Sequence, residues 1–440
     1  MLSVCTIFVL KNKHDMRRIV VLMLLSFVAM TAAPQVATKA DALIGSWSGK
    51  LKVGGMSLTL VINFEQADGY VKCSIDSPDQ GAKGIPIKKE FLSEDSVSLN
   101  VETSHATYRA RVEGEKMVGT FTQNGMNIPL TLAKGERVRP IKRPQNPVEP
   151  YPYKTQEVTF YNNADHVTLV GTLTYPVGFE TMKRGKVPVV IMVTGSGLEN
   201  RDEEIFQHKP FLVIADYLAR HGIASLRYDD RGIGASSGGD RMEAEATTLD
   251  YKRDAEAGIE FLRSMKQFGK IGVIGHSEGG NVAFMLGASK SVDFVVSLAG
   301  VGVKADSALT AQSNRILELQ GQSIKLSVAM FRLNAMAANN PWLRWFIDYD
   351  PTPDIAATRC PVLALNGDKD CQVISQLNLS GIRKALPKNK KTVIKEYPSL
   401  NHLFQHCQTG LVDEYGDIEE TFSPEVLNDI AVWIGGLNAK

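Results

Sequence analysis

The chain of 440 residues is poor in cysteine and almost neutral in charge. Its 5 Cys residues include no CxxC pair, so their spacing predicts no zinc site. With 49 Lys+Arg against 48 Asp+Glu the formal net charge is +1, which gives no overall field to attract nucleic acid or anionic lipid. We therefore expect no nucleic-acid partner and no metal.

The composition is otherwise that of a folded protein. Hydrophobic residues make up 44% and charged residues 22%, which supports neither extensive disorder nor a fibrous repeat. Because 440 residues exceed what one hydrophobic core usually holds, we expect two domains, or one large domain with an attachment.

Residues 1–33 have the layout of a signal peptide. Met16-Arg17-Arg18 precedes the apolar run from Ile19 to Met30, and the small residues Thr31-Ala32-Ala33 follow it. The alternative is a membrane anchor, but the run is shorter than the roughly 20 apolar residues that a spanning helix needs. We expect cleavage and export to the periplasm or the medium, with no stable membrane anchor afterwards. Met1 and Met16 are both possible starts of translation.

Residues 41–136 predict a small antiparallel β-domain. Short stretches of partial alternation, separated by turn formers, are typical of a barrel or sandwich. The predicted strands are Ser57 to Phe64, Tyr70 to Ile75, Ser96 to Val101, Thr107 to Val112, Met117 to Phe121 and Ile128 to Leu132. Trp47, in the first strand, is expected to be a core residue rather than a ligand platform. No catalytic cluster occurs here, so binding, docking or packing are the possible roles.

A proline-rich segment at residues 137–155 marks the predicted domain boundary. Five prolines in this segment disfavour helix and sheet, so an extended spacer with solvated basic residues is expected.

Residues 156–440 predict an α/β domain. After a hairpin, buried β-runs alternate with helical periodicity, which indicates a mostly parallel sheet covered on both faces. Thr247 and Asp250 form a possible capping box before one helix, and Ser423-Pro424 begins the last helix.

The strongest chemical signal is Gly275-His276-Ser277-Glu278-Gly279, a GxSxG sequence between a predicted buried strand and a predicted helix. A sharp strand-to-helix turn would expose the Ser277 hydroxyl, and the glycines stand where a Cβ would collide. His276 is expected to be buried as a packing or hydrogen-bonding residue.

A serine nucleophile needs a base and a group that orients the base. Asp368 and Asp370 follow the predicted strand Val362 to Asn366, and His402 follows the predicted strand Thr392 to Tyr397. Acids at the carboxyl edge of the sheet and a histidine after the last strand complete the chain order Ser, Asp, His.

This combination resembles the α/β-hydrolase superfamily, and within it the bacterial exported carboxylesterases and serine-aminopeptidase-like hydrolases. The resemblance implies an α/β-hydrolase fold over roughly residues 156–440, with a helical cap at about 301–352. Its GxxD pattern favours Asp370 over Asp368 as the triad acid. Val193 to Gly197 stands where the family has its oxyanion loop, with Thr194 in place of a frequent His.

Backbone N–H groups of Glu278 and Ser196 are the expected oxyanion donors. The Glu278 carboxylate is expected to be a solvated surface charge, with attraction of cationic substrate groups as the alternative. A Cys371–Cys407 disulfide is a further hypothesis, since an exported protein would allow one, against two free buried thiols.

The sequence therefore predicts a serine hydrolase that cleaves small-molecule carboxylic esters through Ser277, His402 and Asp370, without a cofactor. The alternative enzyme is a peptidase that cleaves from a chain end, with Asp348, Asp350 and Asp354 as candidates to grip a free amino terminus. A third possibility is a glycan- or lipid-binding protein on an inactive hydrolase scaffold.

Overall fold

The computed structural model describes residues 43–53, 56–67, 70–80, 82–93, 95–123, 126–135, 142–238, 245–338 and 340–437. The predicted signal peptide and the two possible start residues lie outside these ranges. The described chain divides into two compact units. The first unit contains the described residues up to Lys142 together with Val412–Asp417. The second unit contains Arg143–Leu411 and the described residues from Ile418 onward.

The first unit is built on one antiparallel sheet of nine strands. In chain order the strands are β1 (Gly45–Val53), β2 (Met56–Ala67), β3 (Tyr70–Ser77), β4 (Ala82–Pro86), β5 (Lys88–Leu92), β6 (Ser96–Val101), β7 (Ala106–Glu113), β8 (Lys116–Gln123) and β9 (Met126–Lys134). Their order across the sheet is β4-β3-β2-β1-β9-β8-β7-β6-β5. The predicted antiparallel arrangement is confirmed, whereas neither a closed barrel nor a sandwich is.

The core of this unit follows from alternation along the strands. In β6 every second residue is buried, which is the period that a sheet with one covered face requires. Trp47 is fully buried and donates its indole N–H to the carbonyl of Leu43 at 2.7 Å, so its predicted core role is confirmed. The short segment Val412–Asp417 belongs to the same unit, where Asp417 pairs with Lys50 at 2.7 Å.

The second unit is built on a mixed sheet of eight strands. They are β10 (Thr155–Asn162), β11 (Val167–Thr174), β12 (Val189–Val193), β13 (Ala224–Tyr228), β14 (Ile271–His276), β15 (Phe294–Leu298), β16 (Val362–Gly367) and β17 (Val393–Tyr397). The order is β10-β11-β13-β12-β14-β15-β16-β17. The β10–β11 hairpin and the β11–β13 pair are antiparallel, and all other neighbours are parallel.

Nine α-helices are described in this unit. They are α1 (Pro210–Arg220), α2 (Thr248–Ser264), α3 (Glu278–Ala288), α4 (Ala305–Leu319), α5 (Val328–Ala337), α6 (Pro341–Phe346), α7 (Thr352–Ala357), α8 (Ser375–Ala385) and α9 (Pro424–Leu437). The predicted capping box is present at the start of α2, where the side chains of Thr247 and Asp250 each bond the other residue's backbone. Among the described residues, no helix combines the length and apolarity needed to cross a membrane.

The parallel strands position the candidate site. Every residue of β12, β14, β15 and β16 is buried, as expected for strands covered on both faces. Because parallel strands end at one edge, the loops that follow β12, β14, β16 and β17 meet there.

The proline-rich segment differs from the predicted solvated spacer. The Arg143 guanidinium donates to the carbonyls of Phe206 and Ile418, and the Gln145 amide bonds the backbone of Phe422. From Arg143 onward this segment is therefore held against the second unit by hydrogen bonds.

Candidate active site

Ser277 lies in a strained turn between β14 and α3. Its φ is 55°, a left-handed value that non-glycine residues seldom adopt. A Cβ added to Gly275 would lie 1.9 Å from the carbonyl oxygen of Gly279, and one added to Gly279 would lie 2.2 Å from that of Val193. The glycines of the GxSxG sequence are therefore required by close backbone approach, as predicted.

His402 and Asp370 are brought together by the loops after β17 and β16. The Nδ1 atom of His402 lies 2.7 Å from Oδ2 of Asp370. The other oxygen of Asp370 accepts the backbone N–H groups of Gln372 and Val373, each at 2.8 Å. Asp368 instead accepts the backbone N–H of Ser399 at 2.6 Å, so it braces the loop that carries the histidine.

His402 also lies beside the turn that carries Ser277. Its ring is 4.7 Å, centroid to centroid, from the ring of His276, the residue directly before Ser277. Burial lowers the pKa of His402, and the adjacent Asp370 opposes that shift. A buried, neutral imidazole that a carboxylate orients is suited to act as a general base.

Two carboxylates hold the loop after β12, residues 194–199, which we call the oxyanion loop. Asp230 accepts the hydroxyl of Thr194 at 2.9 Å and the backbone N–H of Glu199 at 2.7 Å. Glu203 accepts the backbone N–H of Gly195 at 2.9 Å. Burial raises the pKa of Asp230 well above its ordinary value, although these hydrogen bonds oppose the shift.

The oxyanion loop lies directly against the nucleophile turn. A Cβ added to Gly195 would be 3.4 Å from Cβ of Ser277. The loop therefore carries the backbone of Ser196 to the neighbourhood of Ser277. The role of Glu203 was not anticipated, because no local pattern connects it with residues 195 and 276.

The expectation for the Glu278 side chain was wrong. It is 2% exposed rather than solvated. Its Oε1 accepts the hydroxyl of Thr248 at 2.5 Å and the indole N–H of Trp342 at 2.8 Å, while Oε2 has no hydrogen-bonding partner among the described residues. Burial raises the pKa of this carboxyl, and hydrogen bonding by Thr248, Trp342 and Ser196 opposes the shift.

The predicted cap region forms helices, and one of them contacts the site. Trp342 is on α6, so its bond to Glu278 joins this insertion to the residue that follows Ser277. The Trp342 ring stacks on Phe346 at 5.0 Å. By contrast, Met330 and Leu333 on α5 are 53% and 73% exposed, so only part of the apolar insertion is covered.

The three acids considered for binding an amino terminus all have other partners. Asp348 pairs with Arg332 at 2.6 Å, and Asp354 accepts the Tyr349 hydroxyl at 2.8 Å. Asp350 accepts the backbone N–H of Thr352 at 2.9 Å.

The hypothesised disulfide between Cys371 and Cys407 is absent. Cys371 is buried with its thiol 3.0 Å from the carbonyl of Gly410, and burial raises its pKa to about 12. Lys369 donates to the carbonyl of Cys407 at 3.2 Å, so the loop that carries Asp370 and the loop that carries His402 are neighbours. Within the described ranges, no group of three or more His, Cys, Asp or Glu residues is arranged to hold a metal ion.

Comparisons with known proteins agree with a hydrolase. Residues 209–358 match the family model described as serine aminopeptidase, S33. Esterase EstD of Thermotoga maritima is 24% identical over 313 residues, which cover 65% of this chain and 69% of the relative.

Solved structures are also similar to part of this chain. The ferulic-acid-bound Est1E of Butyrivibrio proteoclasticus is 18% identical, with a TM-score of 0.44 over 64% of this chain and 99% of that one. A hypothetical protein of Pseudomonas aeruginosa, PA2218, is 16% identical, with a TM-score of 0.46 over 68% of this chain and 98% of that one.

Proposed function

We propose that the chain is a serine hydrolase of the α/β-hydrolase superfamily and that it cleaves carboxylic esters. The observation that carries the proposal is the hydrogen bond between His402 and Asp370, formed beside the strained turn that holds Ser277. An oriented neutral imidazole next to a serine is the arrangement that nucleophilic acyl transfer requires.

The proposed reaction has two halves. The Ser277 hydroxyl attacks the ester carbon while His402 takes its proton, and Asp370 holds the imidazole in the tautomer that can accept it. The proton then passes to the departing alcohol, which leaves an acyl-enzyme. Water repeats the sequence in the second half and releases the acid.

Negative charge on the carbonyl oxygen has to be stabilised in both halves. The backbone N–H groups of Glu278 and Ser196 are the proposed donors, one at the start of α3 and one in the oxyanion loop. Removal of a single such donor typically costs about 3 kcal/mol of barrier. The support for Ser196 is the position of the oxyanion loop against Ser277.

An ester is favoured over a peptide as substrate. The relative EstD is named an esterase, and the three acids considered for gripping an amino terminus are engaged with Arg332, Tyr349 and backbone. The description of the matched family as serine aminopeptidase keeps a peptidase as the second candidate.

We also propose that the protein is exported and loses residues 1–33, on the strength of the leader pattern alone. Amino-terminal sequencing of protein recovered from outside the cytoplasm should begin near residue 34. Recovery of uncleaved protein in the cytoplasm contradicts this part of the proposal.

A fluorophosphonate probe, which reacts with activated serines, tests the proposed function directly. Stoichiometric labelling is expected for the wild type and for Ser380→Ala, a control at an exposed serine on α8. Ser277→Ala should abolish labelling. Absence of labelling in folded wild-type protein overturns the proposal and leaves only a binding function.

Substrate class is settled with the same protein. Nitrophenyl esters of graded acyl length and aminoacyl amides are compared by kcat/KM. Faster cleavage of esters supports the proposal, whereas preference for aminoacyl amides supports the peptidase.

A further inference from the structure

A second histidine–carboxylate pair lies next to the proposed triad. Nδ1 of His276 is 2.8 Å from Oε1 of Glu203, and Nε2 of His276 is 2.9 Å from the backbone oxygen of His402. Both residues are 5% exposed. Each ring nitrogen of His276 is therefore engaged inside the protein.

The partners of His276 determine its protonation. A backbone carbonyl only accepts hydrogen bonds, and an ionised carboxylate likewise only accepts. A neutral imidazole has a single N–H and can donate to one of them. Both bonds are satisfied together when the ring carries two N–H groups, and imidazole is the more basic of the two side chains. The contacts are thus those of an imidazolium paired with a carboxylate.

This pair joins three separate segments of the site. Glu203 accepts the N–H of Gly195 in the oxyanion loop through the same oxygen that contacts His276. His276 is the last residue of β14 and directly precedes Ser277. The carbonyl that His276 contacts belongs to His402 itself.

The backbone around Glu203 is strained, which indicates that its surroundings hold this segment in place. Glu203, Phe206 and Gln207 have φ values of 52°, 50° and 63°. Left-handed conformations are unfavourable for non-glycine residues, so they persist only where the surroundings hold them. Hydrogen bonds from the Glu203 N–H to Asn200 and from Arg143 to the Phe206 carbonyl supply that support.

We infer that Glu203 and His276 are positioning residues, a buried charged pair that fixes the oxyanion loop and His402 relative to Ser277. The inference rests on the proposed function of Ser277 and His402 and adds residues that neither the GxSxG sequence nor the triad includes. Neither side chain touches the reacting atoms. Their loss therefore weakens transition-state stabilisation and leaves substrate binding largely as it was.

Glu203→Gln is the principal test. The Gln amide oxygen can still accept the Gly195 N–H and one N–H from a neutral His276, but it no longer stabilises the imidazolium. The bond to the His402 carbonyl is then lost. We expect kcat for an activated ester to fall about 10- to 100-fold, with KM little changed. Glu204→Gln, which removes the neighbouring carboxylate near Lys209, is the control and should keep wild-type kcat.

A spectroscopic measurement tests the same inference without turnover. Ring 15N chemical shifts of histidine are recorded on the Ser277→Ala protein, with His276 assigned by comparison with the Ser277→Ala/His276→Asn double variant. At pH 7.5 or above, where an ordinary imidazole is neutral, His276 should carry protons on both nitrogens. This signature should disappear when Glu203→Gln is added.

The two measurements separate the inference from the proposed function. A neutral His276 ring overturns the inference, as does a folded Glu203→Gln protein with wild-type kcat, even if the fluorophosphonate probe labels Ser277. If the probe fails to label Ser277 but His276 is doubly protonated, the charged pair stands and the esterase proposal falls.

Discussion

We expect Asp370→Asn to lower kcat by about 10⁴-fold while the fold remains intact. In the wild type, Oδ1 of Asp370 accepts two backbone N–H groups, from Gln372 and Val373, and Oδ2 faces Nδ1 of His402 at 2.7 Å. The Asn amide oxygen must take the place of Oδ1, because the other orientation would point an NH₂ group at two N–H donors. The NH₂ group then faces Nδ1 of His402.

This orientation forces the wrong tautomer on the base. With an NH₂ donor opposite, Nδ1 must accept, so the ring proton moves to Nε2. His402 can then no longer take a proton through Nε2 from Ser277. A loss of 10⁴-fold corresponds to about 5.4 kcal/mol of activation free energy.

The assay is steady-state hydrolysis of an activated ester, with thermal unfolding to verify the fold. Asp368→Asn is the matched control, since its amide oxygen can still accept the N–H of Ser399 and it lies outside the His402 contact. Near-wild-type kcat in the control and collapse in Asp370→Asn supports the reasoning. The reverse ranking, or less than a tenfold loss in Asp370→Asn, refutes it.

Three further predictions concern protonation and thiols. Burial lowers the pKa of His402 from its ordinary value of 6.5, so the base becomes protonated only at a pH below that value. The acid limb of kcat/KM against pH should therefore lie below pH 6.5, and a limb above pH 6.5 contradicts this. Burial raises the pKa of Glu278 above its unfolded pKa of 4.5. Its contribution to the free energy of unfolding is therefore present below pH 4.5 and is lost as pH rises through the pKa of the folded state. Urea unfolding should therefore show Glu278→Gln gaining on the wild type as pH increases, by about 1.4 kcal/mol for each unit of the upward shift, and a pH-independent difference refutes it. Iodoacetamide followed by peptide mass analysis should modify the native protein at Cys407 and spare Cys371, whose thiol is buried with a pKa of about 12; equal modification contradicts the structure.

The local sequence pattern was sufficient to predict a residue's role where that role depends on residues nearby in the chain. The turn at Ser277 follows from glycines flanking a strand-to-helix junction. The strands predicted at Val362 to Asn366 and Thr392 to Tyr397 occur as β16 and β17 within one residue of those bounds. The strands β4 and β5 were not predicted, because residues 82–92 contain lysines, a glycine and a proline without clear alternation.

Roles that depend on tertiary contacts could not be predicted from the sequence. Glu278 at the start of a helix has the position of a solvated charge, and only the packing of α6 through Trp342 buries it. Glu203 is 73 residues from His276, so nothing in the local pattern connects them. Thr194 replaces the histidine expected in the oxyanion loop, and the partner of its hydroxyl, Asp230, is 36 residues further along the chain.

The membership of Val412–Asp417 in the first unit has a consequence for the order in which the molecule is completed. A ribosome makes β1 to β9 well before the segment that contains Asp417, which lies 367 residues after its partner Lys50. The first unit can thus acquire all its contacts only after Arg143–Leu411 of the second unit has been made. A gene fragment that stops before residue 412 would encode a first unit that lacks one of its own pieces.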